Sequence, residues 1–217
     1  KVIGDKTVIN FENAKGPLGV GETLTIDPLY SNDNNPTDDA YVTDTSNNDV
    51  CDTGSSKVTG GTDLEQSVYG TASATDCRLS YFDFSLNSIP RYSLISDVDF
   101  IGEVYFTYDS RTCDYVSLGT TRATDSASQI MTSILTGTEM ISADSTCSAT
   151  GTNKSVDFGS IGDSQVQTRV SDGSGFFTFG IRLDNLSSDG SNHGSGFGAE
   201  ERANTPDPTL VLTYTLP

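Results

Sequence analysis

Carboxylates dominate the side chains of this chain that could do chemistry. Of its 217 residues, 30 are acidic, and most of these are Asp. A glycosidase would need two carboxylates at a set separation, one of them with a raised pKa. The adjacent Glu200 and Glu201 come closest to such a pair, yet nothing in the sequence marks them as one. We therefore expect no catalysis by carboxylates.

The only histidine is His193, so a Ser-His-Asp triad would have to use it. It lies in DGSNHGSGFG, which lacks the strand-to-helix turn that exposes a serine nucleophile. The same glycines resemble a phosphate-binding loop, but the Gly-Lys-Ser/Thr ending of such loops is missing. We expect a surface loop here, and we predict that the chain is not an enzyme.

The acidic turns are better suited to binding calcium than to catalysis. Ca²⁺ takes six to eight oxygen ligands from carboxylates, amides and backbone carbonyls. The stretches NDNNPTDD and LDNLSSDGSNHG offer such oxygens, although neither has the spacing of an EF-hand loop. Bound Ca²⁺ is therefore a hypothesis, with solvated acidic turns as the alternative. Its candidate ligands are Asp38, Asp39, Asp184, Asp189, Glu200 and Glu201.

The charge balance excludes some partners. The 12 Lys and Arg leave a net charge of −18, and nucleic acids and anionic membrane surfaces are bound mainly through basic residues. No apolar run approaches the roughly 18 residues that span a bilayer. No signal peptide is recognisable, which fits a removed leader or a piece of a longer protein. Two glycosylation sequons, at Asn153 and Asn185, are compatible with secretion.

The four cysteines also indicate an extracellular protein. Cys51, Cys77, Cys113 and Cys147 form no CxxC pair and are remote from the histidine, so a zinc site has little support. Two disulfides explain them more simply and imply an oxidising compartment. Three connectivities are possible, and we expect sequence neighbours to pair, Cys51 with Cys77 and Cys113 with Cys147.

Short alternating segments separated by turn residues must position these side chains. Roughly nine to eleven such segments predict an all-β fold, a β-sandwich of jelly-roll type. YFDFSLNSIP predicts a central strand that ends before its proline. TDSASQIMTSIL predicts the one short helix, with Thr124 or Asp125 as N-cap. SQVQTRV is predicted as a strand, and residues 46–63 as loop.

Several of these segments resemble a known family. PTDDAYVTDTSNND, RLSYFDFSLNSIPRYSLISDVDFIGEVYF and EERANTPDPTLVLTYTLP are similar to strands of the DNRLRE or carbohydrate-binding-module-like jelly rolls of microbial surface proteins, over about residues 37–217. The resemblance implies a non-catalytic, secreted or cell-surface domain that binds glycans or builds surface structures, often with calcium. The chain departs from the family in its four cysteines and in having no Trp, the residue that commonly stacks on sugars.

Two functions follow as hypotheses, and a hydrolase or lyase acting on polysaccharide through Glu200, Glu201 or His193 is kept as a third. The first is a structural or adhesive subunit of an extracellular filament or surface layer. Residues 1–36 would then add strands to their own sheet or pair with a neighbouring subunit's sheet edge. The second is a glycan-binding module whose stacking platform would be built from tyrosines. Candidates for that platform are Tyr41, Tyr69, Tyr92 and Tyr115.

Overall fold

The computed structural model describes most of the chain after residue 38 and three short strands before it. The described residues are 2–3, 6–7, 23–26, 39–45, 51–52, 54–59, 61, 63–71, 74–109, 111–119, 122–187, 191–199 and 207–215. Their strands are β1 (Val2–Ile3), β2 (Lys6–Thr7), β3 (Thr23–Ile26), β4 (Asp39–Asp44), β5 (Ser56–Thr59), β6 (Asp63–Thr71), β7 (Ala74–Ser85), β8 (Leu94–Thr107), β9 (Cys113–Gly119), β10 (Thr138–Asp144), β11 (Gly151–Asp157), β12 (Phe176–Leu183), β13 (His193–Gly198) and β14 (Thr209–Thr215). Two α-helices, α1 (Ala127–Thr136) and α2 (Gly159–Asp172), accompany them. The predicted all-β sandwich is confirmed, with a second helix that was not expected.

Two long strands bend one antiparallel sheet into a sandwich. The strand order is β10-β9-β12-β7-β6-β13-β8-β14-β3, with β4 beside β7, β5 beside β4 and β11 beside β8. The 12-residue β7 pairs with β6 along its first half and with β12 along its second half. The 14-residue β8 pairs with β14 and β11, and then with β13. Because each long strand changes partners along its length, the sheet curls until its two halves face each other.

Phenylalanine rings fill the space between these halves. Phe82 and Phe84 alternate along β7 and pack against Phe179 of β12. The ring of Phe100 on β8 lies 4.9 Å from that of Phe179 and 5.1 Å from that of Phe82, measured between centroids. All four side chains are fully buried, and such aromatic pairs add to the stabilisation from burial itself. β7 is therefore the central strand that its sequence predicts.

Helix α1 covers the outer face of the half that contains β12 and is the helix predicted from the sequence. Its N-cap is Ser126, one or two residues later than the expected Thr124 or Asp125. The Ser126 hydroxyl accepts a hydrogen bond from the Gln129 amide, and the Gln129 side chain accepts one from the Ser126 amide, which forms a capping box. On β12, a Cβ at Gly180 would lie 2.6 Å from Cγ1 of Ile134. The glycine thus lets the helix lie on the sheet.

Helix α2 occupies a segment predicted as a strand. Val166 and Val170 are four residues apart, a spacing that suits a helix face as well as strand alternation. In the structure both valines are buried in the same hydrophobic core as Phe158, whose ring lies 4.9 Å from that of Phe179. Gly173 ends the helix with a φ of 72°, the left-handed conformation that glycine adopts readily. The strand prediction is wrong because a four-residue spacing fits both the helical period of 3.6 residues and the strand period of two.

Two segments expected to be loops are strands. Ser56–Thr59 forms β5, which pairs with β4. The glycine-rich stretch around residue 193 forms β13, which lies between β6 and β8 and is buried along its length. Glycine has little preference for strands, so local sequence did not predict β13. Its neighbours on both sides supply the hydrogen bonds that hold it extended.

Residues 1–36 are described only at the three short strands. β1 and β2 pair with each other, and β3 pairs with β14 of the same chain. In this structure β3 therefore extends the sheet formed by residues 37–217. The domain boundary at residue 36, and any exchange of this segment between subunits, stay predictions.

Both expected disulfides are present. Cys51 is bonded to Cys77, which ties the segment after β4 to β7, and Cys113 is bonded to Cys147, which ties β9 to the turn after β10. Disulfides of this kind persist in oxidising compartments, so they indicate an oxidising, extracellular setting. Within the described residues, neither helix has the length and apolar character needed to cross a bilayer.

Candidate functional site

One face of the sheet carries a row of partly exposed rings, which we call the aromatic strip. Its members come from strands that are distant in sequence. They are Tyr105 and Phe106 of β8, Tyr108 just after β8, Tyr69 of β6, Arg78 of β7 and Tyr41 of β4. The register of β8 against β13 shifts between Val104 and Phe106, so the adjacent rings of Tyr105 and Phe106 both lie over Gly196. Tyr108 is 49% exposed, and the other members are partly exposed. The strip therefore presents aromatic surface to the solvent.

The rings from β8 and β6 contact one another in an unbroken series. Centroids are 4.7 Å apart between Tyr105 and Phe106, 5.0 Å between Phe106 and Tyr108, and 5.5 Å between Tyr108 and Tyr69. All three pairs are edge-to-face, the arrangement that the ring quadrupoles favour. The rings thus form one connected surface instead of isolated exposed side chains.

Arg78 continues the strip between two tyrosine rings. Its guanidinium carbon lies 5.1 Å from the Tyr69 ring centroid and 5.6 Å from that of Tyr41, which are cation–π contacts. Nη1 forms an ion pair with Glu65, whose side chain is only 13% exposed, and Nη2 lies 3.8 Å from a carboxylate oxygen of Asp76. Burial, the largest single effect, would lower the pKa of Arg78, but Glu65, Tyr69 and Asp76 together outweigh it and the pKa is raised. Arg78 therefore stays charged, and the rings of Tyr69 and Tyr41 and the carboxylates of Glu65 and Asp76 hold it in place.

The phenol of Tyr69 connects the apolar and polar parts of the strip. Its Oη lies 3.1 Å from Oη of Tyr108 and 3.3 Å from Oε1 of Glu65. Burial, followed by the hydrogen bond to Tyr108, raises the pKa of the Tyr69 hydroxyl. It therefore stays protonated near neutral pH and can donate a hydrogen bond. The strip thus combines aromatic faces with hydroxyl, carboxylate and guanidinium groups.

β13 makes room for these rings because its side chains on this face are missing. Gly196 pairs with Glu65 on one side and with Phe106 on the other, so these residues share a face of the sheet. A Cβ at Gly196 would lie 2.2 Å from Cε1 of Phe106, and one at Gly194 would lie 2.6 Å from Cβ of Ser67. Side chains of the neighbouring strands therefore lie across the backbone of β13, as aromatic rings do when they cover glycines in sheets.

His193 lies at one end of the strip and is not in a surface loop. It begins β13 and is 8% exposed, and its Nδ1 is hydrogen-bonded to the carboxylate of Asp109, the residue after Tyr108. Asp109 is also 3.5 Å from Nε of Arg111, and Arg111 donates a 2.7 Å hydrogen bond to the Asn185 carbonyl. These contacts join the loop after β8 to the loop before β13. The end of the strip at Tyr108 is held in place by them.

Two of the four tyrosines proposed as a stacking platform lie together. Tyr41 and Tyr69 are in the strip, one on each side of Arg78. Tyr115 is fully buried, and its hydroxyl is 3.0 Å from Oγ1 of Thr146. Tyr92 is 64% exposed, but it precedes β8 whereas Tyr108 follows that strand. A strand of this length spans about 40 Å, so Tyr92 is remote from the strip.

In the part of the chain that the structure describes, one group of three Asp residues could hold a cation, and it was not identified from the sequence. Carboxylate oxygens of Asp97, Asp99 and Asp157 all lie within 4.8 Å of one another. Burial, followed by repulsion from the neighbouring carboxylates, raises the pKa of Asp99 and of Asp163 on α2. The group has the oxygen chemistry that a hard cation needs, but exposed acidic clusters are also common without one.

The calcium ligands proposed from the sequence are elsewhere or not described. Asp39 is 2% exposed and pairs with Phe82 across the sheet. Asp184 is exposed, and its carboxylate accepts a 2.7 Å hydrogen bond from Thr112. Neither belongs to the Asp97 group. Outside the described residues lie Asp38, Asp189, Glu200 and Glu201.

The two sequon asparagines are both exposed. Asn153 has a φ of 52° and lies where the pairing of β11 with β8 shifts register. The side-chain oxygen of Asn185 accepts a 2.9 Å hydrogen bond from the Ser187 amide. Glycosylation of either residue stays a prediction.

Comparison with known proteins adds no relative to this description. No protein-family model matches the chain, and no curated protein matches it. The resemblance to DNRLRE-type jelly rolls therefore rests only on the motifs that suggested it. The candidate site is defined by its geometry.

Sequence reasoning missed four of the six members of the strip, Tyr105, Phe106, Tyr108 and Arg78, and the glycines of β13 that make room for the rings. The available signal was a pair of patterns. Aromatic residues crowd the end of β8, and HGSGFG has glycines at alternate positions. Glycines that alternate along a strand leave one face of it without side chains, and long rings of a neighbouring strand can lie there.

Proposed function

We propose that this chain is a non-catalytic, secreted adhesive domain that binds glycans through the aromatic strip. The observation that carries the proposal is the continuity of the strip: rings from β8 and β6, then Arg78 and Tyr41, lie side by side on one exposed face. This corresponds to the second hypothesis from the sequence. Tyrosines and a phenylalanine here take the place of the tryptophan that the chain lacks.

The chemistry of the strip suits sugar rings. One side of a pyranose carries C–H groups and stacks on an aromatic face, while its hydroxyl groups point sideways and need hydrogen-bond partners. Tyr108 and Tyr69 supply aromatic surface, and the carboxylate of Glu65 and the phenol groups supply acceptors and donors beside it. Tyrosine is well suited to such faces because its ring is apolar and its hydroxyl end is polar.

A binding panel tests the proposal directly. Soluble polysaccharides of differing sugar and linkage would be presented to the wild-type chain by affinity electrophoresis, followed by calorimetry on any that bind. Replacement of Tyr69 and Tyr108 together by Ala should weaken binding by about tenfold or more, because residues at the centre of a binding face dominate affinity. Tyr92→Ala is the matched control, since it removes an exposed tyrosine far from the strip.

Two results would count against the proposal. One is a panel with no bound polysaccharide, and the other is a ligand whose affinity is the same for the double variant and the wild type. Urea unfolding of each variant would show that any lost binding is not caused by loss of the fold. The Tyr92 variant should match the wild type in both measurements.

Self-association into a filament or surface layer, the first hypothesis from the sequence, stays a prediction. In this structure β3 pairs with β14 of its own chain, so donor-strand exchange would have to replace this pairing. Calcium at acidic loops is a further proposal tied to assembly. Particle size measured by light scattering, with calcium and with chelator, tests both, and a monomer under all conditions would exclude assembly of the chain by itself.

A further inference from the structure

We infer that the aromatic strip selects uncharged glycans and rejects polyanionic ones such as polyuronates. This inference rests on the proposed function and adds the ligand class. It follows from the partners that the charged groups around the strip already have, and above all from the partners of Arg78, the cation that lies within the strip.

Most of the Arg78 guanidinium group is already engaged within the protein, which leaves little of it to bind an anionic sugar. Tyr69 and Tyr41 contact its guanidinium group, and Glu65 and Asp76 are its ionic partners. Recognition of a carboxylate by arginine normally uses two parallel N–H groups of the fork. Here Nη1 already binds Glu65, and Nε is buried without a partner. A ligand carboxylate would therefore have to displace a carboxylate of the protein.

The remaining charges near the strip are also balanced or negative. Glu65 and Asp76 together exceed the single charge of Arg78. At the other end, Asp109 faces Arg111 and His193, and the Arg111 head group is held by backbone carbonyls of the next loop. Among the described residues at the two ends of the strip, every cation therefore already has a partner in the protein when a polyanion approaches.

The whole chain adds to this local repulsion. Its net charge is −18, and charges within about 8 Å remain only partly screened at physiological ionic strength. Uncharged sugar rings avoid this cost, because stacking on the rings of Tyr108 and Tyr69 requires no counter-charge. The strip thus combines an attractive apolar surface with electrostatic rejection of anions.

Matched polymers test the inference. Each polysaccharide that binds in the panel would be compared with its carboxymethylated form, which keeps the backbone and adds negative charge. At low salt the uncharged form should bind at least about tenfold more tightly, and the ratio should shrink as added salt screens the repulsion. Equal or tighter binding of the carboxymethylated form would overturn the inference and leave the proposed function intact.

A pair of variants separates local from global charge. Asp76→Asn removes one carboxylate beside Arg78 and should reduce the preference for the uncharged form about threefold or more, because Arg78 is then less neutralised. Asp207→Asn removes the same charge from an exposed loop before β14 and should leave the ratio unchanged. Equal ratios in the Asp76 variant and the wild type would contradict the role of local charge. If no polysaccharide binds in either form, the proposed function and this inference both fail.

Discussion

At the residue scale, Arg78 is the side chain on which the strip depends most. It is 29% exposed, and it links two tyrosines with two carboxylates. A planar guanidinium can stack on a ring face and form ion pairs at its edge at the same time, whereas the ammonium group of lysine cannot. The position therefore requires arginine and not merely a positive charge.

Replacement of Arg78 tests this requirement. Arg78→Ala leaves Glu65 without its ionic partner and opens a gap between Tyr41 and Tyr69. We expect a loss of about 1–3 kcal/mol in the free energy of unfolding, measured by urea denaturation. Arg78→Lys should recover the charge but only part of the stability. Equal stability of the lysine variant and the wild type would show that the stacking contributes nothing.

The clustered carboxylates of Asp97, Asp99 and Asp157 should make the stability of the fold depend on pH. The raised pKa of Asp99 means that folding disfavours its charged form, first through burial and then through its acidic neighbours. That penalty is fully present above the folded-state pKa, and it disappears as the pH falls below the ordinary value of 3.8. Lowering the pH from neutral should therefore remove the free-energy cost of keeping the Asp99 carboxylate charged in the folded protein.

Asp99→Asn should accordingly raise the melting temperature at pH 7 in the presence of chelator, and the gain should vanish at about pH 3, below the ordinary pKa of the carboxyl group. Calorimetry at both pH values measures it. Calcium provides an additional comparison: if the group holds the ion, calcium raises the melting temperature of the wild type but not of the variant. A variant that is less stable than the wild type at pH 7 in chelator would contradict the repulsion.

At the scale of elements, β13 shows how a strand can be specified by what it lacks. Its two neighbours, β6 and β8, provide its hydrogen bonds, and its glycines leave space for rings from β8. The strip exists because this strand is nearly bare on one face. The same rule applies at Gly180 of β12, where α1 occupies the space of the missing side chain.

Gly196→Ala is the corresponding prediction. The new methyl group would lie 2.2 Å from the Phe106 ring, so the ring must move and the strip must be disturbed. We expect a loss of about 1–3 kcal/mol in stability and weaker glycan binding. Gly61→Ala is the matched control, because its Cβ would meet nothing closer than 3.6 Å and should change stability by less than about 0.5 kcal/mol. Equal effects of the two substitutions would contradict the proposed role of Gly196.

At the scale of the whole molecule, the fold depends on long-range connections. β7 and β8 each belong to both halves of the curled sheet, and the disulfides close segments separated by 26 and 34 residues. Cys77 lies next to Arg78 in the sequence, so the first disulfide also anchors the strand that carries the centre of the strip. The disulfides therefore support both the fold and the candidate site.

Removal of either disulfide should cost roughly 3–4 kcal/mol, because the unfolded chain regains the entropy of an open loop. Paired Cys→Ser variants, Cys51 with Cys77 and Cys113 with Cys147, would be compared with the wild type in urea. A reductant should destabilise the wild type and each paired variant, but it should have no effect on a variant without cysteines. If either paired variant unfolds at the same urea concentration as the wild type, this account of the disulfides is wrong.

The sequence by itself determined the features that depend on local pattern or on covalent chemistry. Alternation at residues 81–84 predicted β7, apolar spacing predicted α1, and four cysteines without metal-ligand spacing predicted two disulfides. Each signal lies within one segment or follows from residue type. By contrast, the four-residue spacing of Val166 and Val170 fits both periods, so α2 was not predictable from it.

Only the tertiary structure decided which side chains meet. Tyr41, Tyr69, Arg78 and Tyr108 are spread over 68 residues of sequence, counted from 41 to 108, and they become neighbours because the strands that carry them lie side by side in the curled sheet. The same folding buries Tyr115 and His193. Exposure and proximity are properties of the packed sheet, because residues of any one strand alternate between its faces and cannot specify which strand will lie beside them.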